Sequence, residues 1–471
     1  MNGNKHIKNY KRRYEQWKRN VVATSVFVIA CGVMAAAYLL YRAVMLGTPL
    51  ASIEQSIFNS HNNIQVICQE DGTDPPKHQP MISAVSQTNI QDAARLSPNI
   101  IANGDLSQVD AETGEPVGFS RSVEEEGIAY QYLDEAPSGT KFLRVVSSRN
   151  RTAKQIKPAW QVNPVELTSA RETYAYSFWY RSTTPINVSV ESTVKDQIIY
   201  DGVTTLEPSD SWRQFTAHFY NANDASTFRF SIAGADAGQI DTRSFDIHQI
   251  PDAATEKGIV SVTFDDGWKS IIEKALPLLE RYDISTTQYI ISEAADRSVA
   301  GYMTYDDIIK FKNAGHEIGS HTLTHCDQTK LSPDVLQNNA IASKQALESQ
   351  EVGPVKSFAY PLGTYDKTTQ KAYQKRYPLI RTSDFGYNDR YFDVANIRSV
   401  GILSDTSDAE FKSWLAYAKE HRLWVVLVYH RVDELGHFSV TSSQLERQLK
   451  MIHDSGLAVM PLSEAAAAVR K

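Results

Sequence analysis

The chain has 471 residues, 42% of them hydrophobic and 22% charged, with a formal net charge of −7. That length accommodates roughly two or three cores, and the negative balance, with no basic stripe outside residues 1–20, argues against a nucleic-acid partner. Three cysteines, with Cys31 inside an apolar run, exclude a disulfide framework and leave Cys68 and Cys326 as the one pair able to bridge. Cys326 is read here as a buried, inert thiol.

The amino terminus is basic, with Lys5, Lys8, Lys11, Arg12, Arg13, Lys18 and Arg19 ahead of an uncharged stretch from Val21 to Tyr41. Such a stretch reaches the ~20 residues that a helix needs to cross a bilayer, and the basic flank is expected to stay in the cytoplasm. Ala35-Ala36-Ala37 imitates a cleavage site, but the apolar run continues through Leu40. An uncleaved anchor over residues 21–46 is therefore expected rather than a signal peptide or a buried helix. It places everything after it outside the cytoplasm, as a single-pass membrane protein. Residues 47–97 are polar and broken by Asp74-Pro75-Pro76 and Gln79-Pro80, the text of a linker.

From residue 98 to 252 the period changes to two. Tyr174, Tyr176, Phe178 and Tyr180 alternate with smaller residues, as do Ile186, Val188 and Val190, then Phe215, Ala217 and Phe219, then Phe228, Phe230 and Ile232. Short alternating strands separated by turn residues predict an all-β jelly-roll sandwich. Trp160, Trp179 and Trp212 are read as core residues, with stacking on sugar rings as the alternative.

Beyond Gly258 strand-like and helix-like runs alternate. Strands are expected at 259–263, 288–291, 317–319, 355–360, 379–382 and 423–429, and helices at 270–282, 332–349, 408–420 and 443–455. This is the text of an α/β fold, a distorted (β/α) barrel over residues 256–471, in which functional side chains gather where strands end. Asp265, Asp266, His321, His325 and His430 all fall at or just past such ends. One carboxylate with two imidazoles makes an incomplete metal shell, with the neighbouring carboxylate free for proton transfer. A helical turn from His321 to His325 sets both rings on one side. Taken singly, an Asp-Asp-Gly run also suits a simple turn, and a lone histidine after an apolar strand also suits a core position.

Order and spacing decide between these readings. Thr263-Phe264-Asp265-Asp266-Gly267, Ser320-His321-Thr322-Leu323-Thr324-His325, Phe358-Ala359-Tyr360-Pro361-Leu362-Gly363 and Leu427-Val428-Tyr429-His430 together resemble the polysaccharide deacetylases with a NodB-homology domain, carbohydrate esterase family 4. The preceding β-region, with Asn103-Gly104-Asp105-Leu106, Trp212 and Phe245-Asp246-Ile247, loosely resembles jelly-roll carbohydrate-binding modules. The first resemblance implies that Asp266, His321 and His325 hold a divalent metal, zinc foremost, with cobalt, nickel or manganese as substitutes. It implies further that Asp265 is the general base and that His430 is the acid for the departing amine. It also implies that the backbone N–H of Leu362 stabilises the oxyanion and that Tyr360 and Pro361 lie against the substrate.

Two positions depart from the family pattern. Ala359 stands where many members carry an arginine paired with the catalytic aspartate, so Arg381 or Arg398 must supply that charge if it is supplied. The motif that orients the acid histidine has only Asp384 as a candidate. The resulting expectation is a membrane-anchored N-deacetylase of N-acetylglucosamine units in poly-N-acetylglucosamine or peptidoglycan. A glycan-binding protein with a decayed site and a small-amide hydrolase are the alternatives.

Overall fold

The computed structural model describes Ile90 and residues 93–470, apart from 151–156, 168–170, 196, 222–223 and 235. All of these belong to the second of the two units into which the chain divides, Cys68–Lys471. The expected anchor (21–46) and almost all of the linker lie outside the described residues. Among the described residues no helix is long and apolar enough to cross a membrane.

The first described domain consists of two antiparallel sheets. One orders Phe119–Arg121, Ala159–Val162, Thr227–Gly234, Ile186–Val194 and Gln197–Leu206, with Val165–Glu166 also paired to Thr227–Gly234; the other orders Ile128–Glu135, Thr140–Ser147, Gly238–Ile250, Thr173–Ser182 and Ser209–Tyr220. The alternation read from sequence has a direct physical outcome: Tyr176, Phe178, Phe215, Phe228, Phe230 and Phe245, drawn from both sheets, share one core. Trp160 belongs to that core, 4% exposed. Trp212 instead lies beneath the guanidinium groups of Arg243 and Arg181, 4.1 and 4.7 Å from its ring centre, and donates its indole N–H to Glu135.

The second domain is a closed parallel barrel. Its strands are β1 (Ile259–Phe264), β2 (Thr286–Ile290), β3 (Glu317–Ser320), β4 (Ser357–Ala359), β5 (Leu379–Phe385), β6 (Ile397–Gly401) and β7 (Trp424–Tyr429), neighbours in chain order, with β7 closing onto β1. Residues of β1 and β7 are buried along their whole length, as parallel strands covered on both faces must be. The strand β6 is absent from the sequence reading. Its Ile397-Arg398-Ser399-Val400-Gly401 carries a charge and a glycine and has no continuous apolar run.

The two domains meet on ordered contacts. His218 Nε2 lies 2.7 Å from Asp389 Oδ2 with both groups buried, and the N–H of Arg390 donates to the carbonyl of Ala253 at 2.7 Å. Tyr391 donates its hydroxyl to the carbonyl of Pro251. A buried, hydrogen-bonded seam of this kind resists independent movement of the two parts.

One histidine in the barrel wall makes the fold sensitive to acid. His316 accepts the N–H of Thr286 at Nδ1 (3.0 Å), and burial depresses its pKa to about 4. The unfolded chain, with histidine near its ordinary ~6.5, therefore binds the proton first. Stability is expected to fall by about 3 kcal/mol as pH drops from ~6.5 to ~4, then to level off for this group. Urea unfolding at pH 7 and pH 5 measures this, and His316→Gln should flatten that part of the profile.

Candidate metal and acid–base site

The carboxyl end of β1 delivers the first two groups. Asp265 extends the strand by donating its N–H to the carbonyl of Tyr429 at 2.9 Å. The next residue, Asp266, turns the chain at φ 73°, a left-handed conformation that non-glycine residues seldom adopt. Thr322, His325 and Leu362 share this region at φ 68°, 60° and 58°. Each of the three loops that carry these motif residues thus contains such a backbone position.

His321 follows β3, its N–H bonded to the carbonyl of Ile290. The segment to His325 is a strained loop, not the helical turn expected from the spacing. Thr322 Oγ1 accepts the N–H of His325 at 3.0 Å, and Asn339 accepts that of Leu323. These bonds, which a sequence cannot display, bring the two rings to a centroid separation of 4.9 Å.

Asp266, His321 and His325 present ligand atoms that all lie within 4.8 Å of one another, and all three residues are buried. The fit to a cation is testable on the hydrogen bonds around them. His321 Nδ1 lies 2.9 Å from the carbonyl of Ala359. A carbonyl only accepts, so Nδ1 carries the proton and the neutral ring offers a lone pair at Nε2. That Nε2 faces Asp266 Oδ1 at 3.3 Å, and His325 Nε2 faces the same oxygen at 3.1 Å. Among the described residues no aligned hydrogen bond reaches this oxygen. Two lone pairs at such a distance repel unless a cation sits between them, so the set suits a divalent ion.

Asp265 is the free carboxylate beside this cluster, 3% exposed. Its Oδ2 accepts a hydrogen bond from Arg381 at 2.5 Å and lies 4.0 Å from His430 Nε2. Arg381 is itself buried, its guanidinium 5.1 Å from the ring centre of Tyr289. Gly319 makes room for that ring, since a Cβ there would lie 2.5 Å from Tyr289 Cε1. Arg381 is the register partner of Ala359 on the adjacent strand. The charge missing at Ala359 is thus delivered one strand over, to the same end of the barrel. Arg398 is directed elsewhere, donating to the carbonyl of Phe385.

His430 follows β7 and packs against Phe438, ring centres 4.9 Å apart. Its Nδ1 has no hydrogen-bond partner among the described residues. Asp384 does not orient it: that carboxylate accepts the hydroxyl of Tyr365 at 2.6 Å. In the third motif Leu362 stands at the surface, 39% exposed, while Pro361 is buried. The side chain of Tyr360 is corrected to a core role. It is 2% exposed and stacks on Tyr365 with Phe358 edge-on, so no face of it is left for a substrate.

Cys326 also differs from expectation. It is disulfide-bonded, with its partner outside the described residues. The sequence reading missed one contributor as well: Trp268 donates its indole N–H to Asp266 Oδ2 at 2.7 Å. The only sequence signal for it is adjacency to the Asp-Asp-Gly run.

Residues 252–377 match the polysaccharide deacetylase family model. The C-terminal part of this chain carries a polysaccharide deacetylase domain, a hydrolase fold. The match includes Asp265, Asp266, His321, His325 and Leu362 and ends before Arg381 and His430. Over 161 residues the chain is 25% identical to YxkH of Bacillus subtilis, whose name assigns it to the polysaccharide deacetylases; the alignment covers 34% of this chain and 57% of that protein. A peptidoglycan-N-acetylglucosamine deacetylase of Bacillus cereus is 30% identical over 93 residues, 19% of this chain and 31% of the relative. Among solved structures, the deacetylase domain is similar to Streptococcus pyogenes deacetylase PplD in complex with acetate, at 27% identity and a TM-score of 0.31, covering 32% of this chain and 68% of that one.

Proposed function

We propose that the protein removes acetyl groups from N-acetylglucosamine units of a polysaccharide outside the cytoplasm, using a divalent ion held by Asp266, His321 and His325. The observation that carries this reading is the lone pair of His321 Nε2 facing Asp266 Oδ1 beside a separate buried carboxylate, Asp265. A bound divalent ion, zinc foremost, would supply Lewis acidity at the acetyl carbonyl and toward the attacking water.

The chain's own groups supply the proton transfers. Asp265 takes the proton of the attacking water, with Arg381 fixing its Oδ2. His430, within 4.0 Å of Asp265, is the proton donor to the leaving nitrogen, since an amine is expelled readily only when protonated. The backbone N–H of Leu362, in an exposed loop, is the donor for the developing oxyanion in this reading. The convergence of these groups supports an active enzyme over a decayed glycan-binding protein.

Two substrates fit. The Ala359-Tyr360-Pro361 form of the third motif is similar to that of deacetylases acting on poly-N-acetylglucosamine, and the name of the Bacillus cereus relative favours peptidoglycan. The extracytoplasmic placement is supported by the basic-then-apolar amino terminus and by the disulfide at Cys326, a bond typical of oxidising compartments. A carbohydrate-binding role for the N-terminal β-domain rests on its sequence resemblance. Burial of Trp160 removes that ring as a sugar contact.

Acetate release by the full chain on poly-N-acetylglucosamine, peptidoglycan and chitin oligomers, with and without chelator, tests the reading. Release from one of the first two that chelator stops and zinc restores is the expected result. Release that is indifferent to chelator removes the metal from the reaction, and no release from any glycan removes the deacetylase reading.

A further inference from the structure

Asp266 uses its two oxygens differently. Oδ1 faces the imidazoles of His321 and His325, whereas Oδ2 is held by the indole N–H of Trp268 at 2.7 Å. The indole is itself fixed on both the backbone and the ring. Residues 267–269 are pinned by the segment that follows Val299: Met303 N–H donates to the carbonyl of Gly267, Lys269 N–H donates to that of Gly301, and Trp268 forms a β-bridge with Tyr302. The Tyr302 ring stacks on the Trp268 ring at 4.3 Å and 25°. The guanidinium of Arg431, the residue after His430, lies 4.0 Å from the centre of the Trp268 ring.

We infer that Trp268 is a positioning residue that restricts Asp266 to single-oxygen ligation, and that the stack of Tyr302, Trp268 and Arg431 fixes its N–H. The physical reason is competition for a carboxylate. A free carboxylate rotates and can engage a cation through both oxygens, whereas one with Oδ2 committed to an indole donor presents Oδ1 alone in a fixed direction. Such a donor also leaves one more coordination position for water and substrate, which a hydrolytic site needs open. The stack has a second consequence. Arg431 is adjacent in sequence to His430, so the chain that places the proton donor also braces the donor to the ligand Asp266. With Tyr302 and Arg431 against it, the indole serves the carboxylate and is no open platform for a sugar ring.

This inference rests on the metal reading above, and its test is metal affinity rather than turnover. Zinc titrations of the purified full chain, stripped of metal, are compared with those of Trp268→Phe and Arg431→Met. Trp268→Phe keeps one aromatic ring for the stack and loses the N–H together with part of the indole. A fall of about 10- to 100-fold in zinc affinity is expected for it, with the thermal midpoint of the metal-free protein unchanged. A smaller fall in the same direction is expected for Arg431→Met, because the N–H remains but its orientation loosens. The visible absorption of the cobalt-loaded Trp268→Phe protein should also weaken, as added coordination by Oδ2 lowers band intensity. Unchanged zinc affinity and an unchanged cobalt spectrum in Trp268→Phe overturn the inference and leave the metal site standing. Failure of the unsubstituted chain to bind zinc or cobalt overturns the metal reading and this inference with it.

Discussion

Asp265→Asn is expected to lower acetate release by about two to four orders of magnitude, the usual contribution of a positioned general base, while leaving zinc content unchanged. The separation of the two effects comes from geometry. Asp265 stands beside the ligand cluster but is not one of the three residues whose donor atoms converge. Asparagine keeps an oxygen able to accept the Arg381 hydrogen bond, so the local structure has a way to persist. It cannot take a proton from water. His321→Ala provides the contrast, because it removes a ligand atom and should lose metal and activity together. Metal analysis of both variants alongside their rates reads this directly. An Asp265→Asn protein with full activity removes Asp265 as the base, and one that has lost its zinc makes Asp265 part of the metal shell.

Arg381→Met should cost both stability and rate. The side chains of Arg381 and Asp265 are 3% and 5% exposed, so each has lost most of its hydration and depends on the other. Removing one member of a buried ion pair typically costs about 3–5 kcal/mol, because the remaining charge is left without compensation. Methionine fills much of the space, which keeps packing loss small and isolates the electrostatic effect. Turnover should fall as well, since Asp265 Oδ2 loses the donor that fixes its direction. Arg381→Lys should recover part of the stability and little of the rate: an ammonium supplies charge without the planar geometry of a guanidinium. Urea unfolding together with acetate release separates the two. An Arg381→Met protein as stable and as fast as the parent would show that Asp265 needs no partner.

The extent to which the site is legible in the sequence differs residue by residue. The positions of Asp265, Asp266, His321, His325 and His430 follow from strand-like runs of known direction. In a parallel barrel all strand ends point to one mouth, so placing a residue after a strand suffices to place it at the site. The helical turn expected between His321 and His325 fails because spacing of i, i+4 does not state the backbone path. The acceptors that bend this loop, Thr322 and Asn339, act through bonds that only the folded chain forms. Tyr360 reads as a substrate contact because it adjoins the exposed loop, yet a single residue's rotation sends its ring into the aromatic cluster of Phe358, Tyr365 and Tyr373.

What the sequence by itself determined is the chemistry available and its address: a carboxylate pair after one apolar strand, two histidines after another, a third histidine after a last. These are local facts, set by pattern and by the polarity of the strands. Only the tertiary structure decided how the charge missing at Ala359 is replaced, because the choice between Arg381 and Arg398 depends on which strand lies beside which and in what register. It likewise decided that Trp268 braces Asp266 and that Cys326 is bridged. Pairings such as that of Arg381 with Asp265 join residues far apart in the chain. Their energies arise from desolvation and alignment within the core, quantities that no linear pattern records.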